Sequence, residues 1–336
     1  MLMPAYNGER YLREAIDSVL AQTFSDFELV IVDDRSSDQT FSIAQSYAAK
    51  DHRIRLERNN HNLGLVNNWN RCVDLAKGEW IKFVFQDDLI TPDCLEKMIA
   101  AVTGEDLMVV CKRDLLFEDV DEQYKLRLIK YIEKHSIEVI VPGITRLSAA
   151  YVCRVAIEHM GYNFIGEPTA VMLHRNGFRQ YGRFNPDFIQ ICDLEYWLRV
   201  GVNTGLVYVP EKLATFRVHS SAATVKNIKS GNYRMGYLDN LLLQYQFVFH
   251  PAFRPIRAVA AHRRPTCVLY NLLGDAANNA YNVALRKAAD SVSSDEGPLI
   301  EWDNLIRKLP KLKRAMRKDK LNNIILRLLR KFNLRN

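Results

Sequence analysis

Three features of the sequence predict an α/β fold built on a mostly parallel sheet. Apolar runs and amphipathic repeats alternate three times within the first part of the chain, the pattern of strands joined by crossover helices. The runs are nearly continuous, as in residues 27–32 and 80–85, which is how strands buried on both faces read. Two of them stop at paired carboxylates, Asp33-Asp34 and Asp87-Asp88. Ligands of open α/β sheets collect where such strand ends emerge.

The elements follow in order. Met1-Leu2-Met3-Pro4 reads as a short first strand that turns at Asn7-Gly8. Tyr11, Leu12, Ala15, Ile16, Val19 and Leu20 recur at helical spacing over residues 9–22. After the strand at 27–32, Ser36-Ser37-Asp38 caps a helix over about 39–50. A third strand covers 54–57, Asn62-Leu63-Gly64 leads into a helix over about 65–76, and Gly78 releases the chain into a strand over 80–88. Further strands are expected at 107–111, after Gly166-Glu167-Pro168, at 206–210 and at 214–219, with a helix starting near Asp193. Residues 118–160 read as helical or irregular, broken at Pro142-Gly143. Beyond Ser221 the pattern is helical, giving a region at 1–220 and a helical C-terminal region at 221–336.

Composition narrows the function classes. The 336 residues are 48% apolar and 25% charged, ordinary for a soluble globular protein. No stretch approaches the ~20 apolar residues of a membrane-spanning helix, and no signal-peptide layout opens the chain. The six cysteines lack CxxC spacing and read as reduced thiols of a cytoplasmic protein. Of the net charge of +7, residues 301–336 carry twelve Lys/Arg against three Asp/Glu, so the rest is slightly acidic. That tail sets Leu309, Leu312, Met316, Leu321, Ile324, Ile325, Leu328 and Leu329 among its basic residues at helical spacing. Such a helix either lies on an anionic membrane surface or packs its apolar face on the body. Interleaved aromatics are missing, which argues against nucleic acid.

Asp87-Asp88 is the centre of the chemical reading. Adjacent carboxylates raise one another's pKa unless a cation relieves them. A hard divalent metal, Mg²⁺ or Mn²⁺, would do so and keep coordination sites for phosphate oxygens. An Asp capping the helix after Thr91-Pro92 is the competing reading.

In this order, Met3-Pro4-Ala5-Tyr6-Asn7, the run from Gln22 to Glu28 into Val32-Asp33-Asp34, Asn62-Leu63-Gly64, Gln86-Asp87-Asp88 and the run from Asp193 to Arg199 resemble the family 2 inverting glycosyltransferases. The resemblance covers about residues 1–220 and implies a GT-A-type nucleotide-binding fold with a helical extension. It implies transfer of a sugar from a nucleotide-diphosphate donor, UDP above all, to a glycan or lipid-linked acceptor in envelope polysaccharide synthesis. Pro4, Tyr6, Asn7 and Asp34 would hold the base, with Asn62 and Gly64 close by. A tyrosine ring can stack on uracil and an Asp can accept its N3–H. Asp88 would bind the metal, Asp87 the ribose or the metal's water shell, and His219 would complete the site. Gln86 replaces the first acid of the family's DxD element. Asp193 would be the base that takes the acceptor's proton, with Glu195 in reserve and Cys192 where relatives usually carry an acid. Glu167 would face donor sugar or acceptor, while Trp197 and Arg199 brace the helix. The alternatives are a nucleotide-sugar-binding scaffold without turnover and, more remotely, a receiver-like Mg²⁺ site at Asp33-Asp34. The cellular site implied is the cytoplasm, at the inner face of the membrane if the tail binds lipid. Donor sugar, acceptor linkage and oligomeric state are left open.

Overall fold

The computed structural model describes residues 1–222, 225, 234–263, 267–290 and 297–316. The chain divides into two compact units, one formed by Met1–Asp187 with Ile191–Lys226 and the other by Phe188–Gln190 with Asn227–Asn336.

In the first unit, β1 (Leu2–Ala5), β2 (Leu29–Asp33) and β3 (Ile54–Arg58) form a parallel sheet in that order. The first two are buried along their whole length, as continuous apolar strands require. Helix α1 (Leu12–Leu20) buries Leu12, Ala15, Ile16 and Val19, the predicted stripe. Helices α2 (Thr40–Ala48) and α3 (Leu65–Leu75) complete the crossovers. Each helix is somewhat shorter than its apolar pattern, because the end residues close turns instead.

The expected strand at 80–88 is divided. Its first part is β4 (Trp80–Lys82), antiparallel to a later strand. Phe83 then bridges Leu2, and Val84 N–H donates to the Leu2 carbonyl at 3.0 Å, joining the two sheets at β1. Gln86 and Asp87 form a turn before β5 (Leu89–Ile90). The apolar run was read correctly as buried, but it changes partner midway, which periodicity cannot reveal.

Helix α4 (Cys94–Ala100) leads to β6 (Met108–Glu118), and β7 (Arg146–Leu147), β8 (Val171–His174) and β9 (Leu206–His219) complete a second, mixed sheet of order β4-β8-β6-β9-β5, with β7 on β9. The two short strands expected at 206–219 are one. Cys111 pairs with Val209 and Lys112 with Lys212, so Pro210 and Glu211 bulge out; a proline has no N–H for the ladder. Helices α5 (Glu122–His135), α6 (Ile137–Ile140) and α7 (Ala149–Glu158) fill the irregular stretch, followed by α8 (Arg175–Tyr181) and α9 (Cys192–Thr204).

The second unit is helical where described: Asp239–Phe249, Arg254–Arg263, Cys267–Asp290 and Gly297–Lys308. Asp239 accepts the N–H groups of Ile189 (3.0 Å) and Gln190 (2.6 Å). Leu312 and Ala315 are buried and Lys311 lies 4.8 Å from the centre of the Phe249 ring, so this stretch of the basic segment packs on its own unit. The rest of the predicted tail helix, from 317, lies outside the described residues. No helix among the described residues is long and apolar enough to cross a membrane.

Candidate active site

One edge of the candidate site is assembled by three loops at the carboxyl ends of β1, β2 and β3. Pro4 is buried within β1, opposite Val32. Tyr6 emerges 48% exposed, its backbone clamped by Gln86: Tyr6 N–H donates to Oε1 at 2.8 Å and Gln86 Nε2 donates to the Tyr6 carbonyl at 3.1 Å. Gln86 therefore ties the acidic tip to the first turn. Asn7 ties the same turn to the β2–α2 loop: its N–H donates to Ser36 Oγ at 3.0 Å and its Oδ1 accepts Ser37 N–H at 2.9 Å.

Asp34 is buried and accepts three hydrogen bonds, from Asn59 Nδ2 (2.7 Å), Leu63 N–H (2.8 Å) and Gly64 N–H (3.0 Å). Asn62 Oδ1 shares the Gly64 N–H at 2.9 Å. Asp34 thus shapes the loop before α3. Asp33 is turned to Arg58 Nε at 2.9 Å, an ion pair that already neutralises its carboxylate.

At the tip the neighbouring acids have opposite surroundings. Asp88 is fully buried, accepting Thr169 Oγ1–H at 2.5 Å and Arg217 N–H at 2.9 Å. Burial, then the adjacent Asp87 charge, hold its pKa well above the carboxylate range. The side chain expected to bind metal is directed into the protein. Asp87 is the one that reaches the surface, with 23% of its side chain exposed and Oδ2 3.1 Å from His219 Nε2. His219 ends β9, and its Nδ1 lies 2.8 Å from Ser221 Oγ. When Nε2 carries the proton, its contact with Asp87 is a hydrogen bond; in the tautomer that donates Nδ1–H to Ser221, the Nε2 lone pair faces the carboxylate oxygen and a cation between them would relieve the repulsion. This donor pair suits a divalent cation with further sites left for substrate oxygens. Among the described residues no group of three or more His, Cys, Asp or Glu side chains forms a protein-only cage.

Arg217, which sequence reasoning missed, braces this tip. Its buried guanidinium donates through Nε to the Asp87 carbonyl at 2.8 Å and through Nη2 to Glu14 at 2.6 Å, and also pairs with Glu118. It lies 4.5 Å from the centre of the Tyr11 ring, which in turn packs 4.7 Å from the His219 ring. The available signal was period two: Arg217 and His219 point to one face of β9 between apolar neighbours.

On the other flank, Asp193 stands in the first turn of α9. Its Oδ1 accepts Leu194 N–H at 2.7 Å and its Oδ2 accepts Asn163 Nδ2 at 3.1 Å. Desolvation, with the Glu167 charge adding to it, pushes its carboxyl up to about 7. Glu195, the reserve base, is buried on Arg199 at 2.8 Å. Arg199 also donates to the Tyr181 and Arg183 carbonyls at 2.6 and 2.7 Å. This pair locks the α9 helix in place. Trp197 Nε1 donates to the Gly166 carbonyl at 3.1 Å, and Glu167 Oε2 lies 2.5 Å from Arg113 Nε. Gly166 has φ +121° and a Cβ there would come within 2.9 Å of Arg113 Nη1, so only glycine fits this bend. Asn163, also missed, holds both ends of the bend by accepting Gly166 N–H at 2.9 Å and donating to the Gly166 carbonyl at 3.2 Å.

The two flanks meet through one loop. Thr169 accepts Phe85 N–H at 3.3 Å while donating to Asp88, and its carbonyl takes the buried Lys82 ammonium. Gly166, three residues earlier, bonds Asn163, whose Nδ2 in turn donates to Asp193. The acidic tip and the raised carboxyl are thereby fastened to opposite ends of a four-residue bridge, at most ~14 Å of extended chain.

Residues 1–160 match the family described as Glycosyl transferase family 2. The putative glycosyltransferase EpsH of Bacillus subtilis is 26% identical over 253 residues, covering 73% of this chain and 63% of that protein. The chain belongs to glycosyl transferase family 2. It therefore spans under two thirds of the length of EpsH. Among solved structures, S. aureus TarS 1-349 in complex with UDP-GlcNAc superposes with TM-score 0.58 at 18% identity, covering 94% of this chain and 80% of that one. The mannosyltransferase PcManGT from Pyrobaculum calidifontis, in complex with GDP-Man and Mn²⁺, gives TM-score 0.52 at 15% identity, covering 96% and 86%. These likenesses make the family 2 chain's fold GT-A-type.

Proposed function

We propose that this family 2 chain is an inverting glycosyltransferase that moves a sugar from a UDP-sugar to a hydroxyl of a glycan or lipid-linked acceptor. The single observation that carries the reading is the bridge from Asp88 through Thr169 and Gly166 to Asn163 and Asp193. It sets a donor edge and a raised carboxyl beside each other. The TarS complex with UDP-GlcNAc supports the choice of donor.

Tyr6, exposed on a clamped backbone, stacks on the base, with Pro4, Asn7, Asp34, Asn62 and Gly64 shaping its pocket. Asp87 and His219 are the residues that would hold a divalent metal, in place of the expected Asp88; the Mn²⁺ complex of PcManGT supports such an ion. When bound, the ion neutralises charge that grows on the diphosphate as it leaves. Asp193 accepts the acceptor hydroxyl's proton as that oxygen attacks the anomeric carbon. The bond from that carbon to the diphosphate oxygen breaks, UDP departs with the electron pair, and the configuration inverts. With its carboxyl at about 7, Asp193 is basic enough to take the proton and still largely ionised just above neutrality. Work on envelope polysaccharide at the inner membrane face, reached through the basic tail beyond 316, belongs to the same reading.

The test is a panel of nucleotide sugars scored for thermal stabilisation with and without Mn²⁺. A UDP-sugar at a hundred times its Kd should stabilise the fold by about 2.7 kcal/mol. No shift with any nucleotide sugar at millimolar concentration would overturn the proposal.

A further inference from the structure

Beside Asp193 lies an aromatic cluster that the chemistry above does not use. Tyr162 is 42% exposed on a hydrogen-bonded turn. Its N–H donates to the His159 carbonyl at 3.0 Å and its carbonyl accepts Phe164 N–H at 3.1 Å. Gly161 before it has φ +83°, a bend that L side chains resist, and Phe164 and Ile165 after it are buried. His135 is stacked beneath the ring at 3.9 Å and 11°, with Tyr131 at 6.0 Å. One face of Tyr162 is therefore covered and the exposure falls on the other face and the edge. Burial lowers the His135 pKa, so the support is a neutral ring at pH 7.

The cluster is wired to the base. Tyr131 Oη accepts Asn163 N–H at 3.0 Å, and Asn163 Nδ2 donates to Asp193. The open ring belongs to the residue immediately before the amide that positions the base. A tyrosine face is apolar and carries partial negative charge; a pyranose ring offers a face of polarised C–H bonds of matching size. A surface aromatic held in one orientation also binds with little ordering cost.

We propose that Tyr162, backed by His135 and Tyr131, is the surface on which a sugar ring of the acceptor stacks while its hydroxyl meets Asp193. The acceptor is then a glycoside and not a bare lipid phosphate. This rests on Asp193 being the base of a transferase.

Saturation-transfer NMR on the full chain, with methyl glucoside, methyl galactoside and methyl N-acetylglucosaminide as probes, separates the two ideas. Wild-type protein should saturate the ring C–H protons of at least one probe, Tyr162→Ala should lose about five- to tenfold of that affinity, and Tyr162→Phe and Tyr162→Trp should keep it. No saturation by wild type, or equal saturation by Tyr162→Ala, overturns the inference. UDP release from UDP-GlcNAc without acceptor is measured alongside. Hydrolysis unchanged in Tyr162→Ala supports an acceptor role, and an equal loss in hydrolysis shows a structural one and overturns it. If Tyr162→Ala does not fold, Tyr162→Leu, which keeps bulk without the ring, takes its place with the same expectations. Wild type that saturates a glycoside but consumes no nucleotide sugar would sink the transferase reading, leaving the sugar-binding face standing.

Discussion

The proposed donor edge and the proposed acceptor flank differ in how their carboxyl groups are held. On the donor edge side chains are held by backbone: Asp34 takes the N–H groups of Leu63 and Gly64, Asn7 that of Ser37, and Gln86 pairs both ways with Tyr6. On the acceptor flank backbone groups also take part, through Leu194 N–H, Gly166 and the Tyr181 and Arg183 carbonyls, but several side chains are held by other side chains, Asp193 by Asn163, Glu167 by Arg113 and Tyr162 by His135. The difference is chemical as well as architectural. Asp34 accepts three N–H donors, whereas Asp193 accepts two and is pushed up to about 7, first by desolvation and further by the neighbouring Glu167 charge. A buried carboxyl whose pKa is raised to neutrality is one that can take a proton near pH 7.

Removing the proposed base, Asp193, should break this contrast most severely. Asp193→Asn keeps an acceptor for Leu194 N–H and should lower kcat about a thousandfold, while donor binding, read by calorimetry, stays unchanged. In wild type, kcat/KM should rise about tenfold per pH unit below 7 and level off above 8, because the base works only when ionised. A flat profile between pH 6 and 8 would remove Asp193 from that role.

The same contrast explains what the sequence revealed. Tyr6, Asn7, Asp34 and Asn62-Gly64 come from short contiguous motifs, and the structure brings them to neighbouring loops. Asn163, Tyr131 and Tyr162 lie in none of the recognised short motifs, and only the fold brings them to Asp193. Asp87 and Asp88 show a finer limit. Both were legible as a pair, but which one faces outward depends on the turn at Gln86-Asp87, where the strand leaves its partner. The parallel crossovers at 1–76 were legible from periodicity, whereas the bulge at Pro210 that fuses β9 was not.

The two tip acids should separate cleanly on mutation. Asp87→Asn should lower activity about a hundredfold and weaken Mn²⁺ binding, read by titration, with little change in Tm. Asp88→Asn can still accept Arg217 N–H and can donate its amide to Thr169 Oγ, so it should fold near-normally. Asp88→Ala leaves two buried donors unpaired and should cost about 1–3 kcal/mol in chemical denaturation. If Asp88→Asn, and not Asp87→Asn, loses the metal, the sequence-based assignment is restored.

Smaller effects tune the base without removing it. Asn163 favours the ionised form of Asp193, and Glu167 opposes it. Asn163→Ala should therefore move the pH profile upward, lowering kcat/KM at pH 7 about fivefold with recovery near pH 9. Glu167→Gln should move the same profile downward. Shifts of the same sign in both variants would mean that these residues act on the fold and not on the proton.

The smallest effect belongs to the donor edge. Tyr6 is exposed, and only its backbone is engaged by Gln86, so replacing the ring leaves the clamp intact. Tyr6→Ala should raise the donor KM about three- to fivefold with kcat and the pH profile unchanged, and Tyr6→Phe should restore the wild-type value. Gln86→Ala reaches the same ring by another route: the Tyr6 turn loses its two bonds, and donor KM should rise although the stacking group is still present. A rise in Gln86→Ala and none in Tyr6→Ala would mean that the clamp positions the acidic tip and not the base pocket, and would make the donor edge as dependent on side-chain contacts as the acceptor flank.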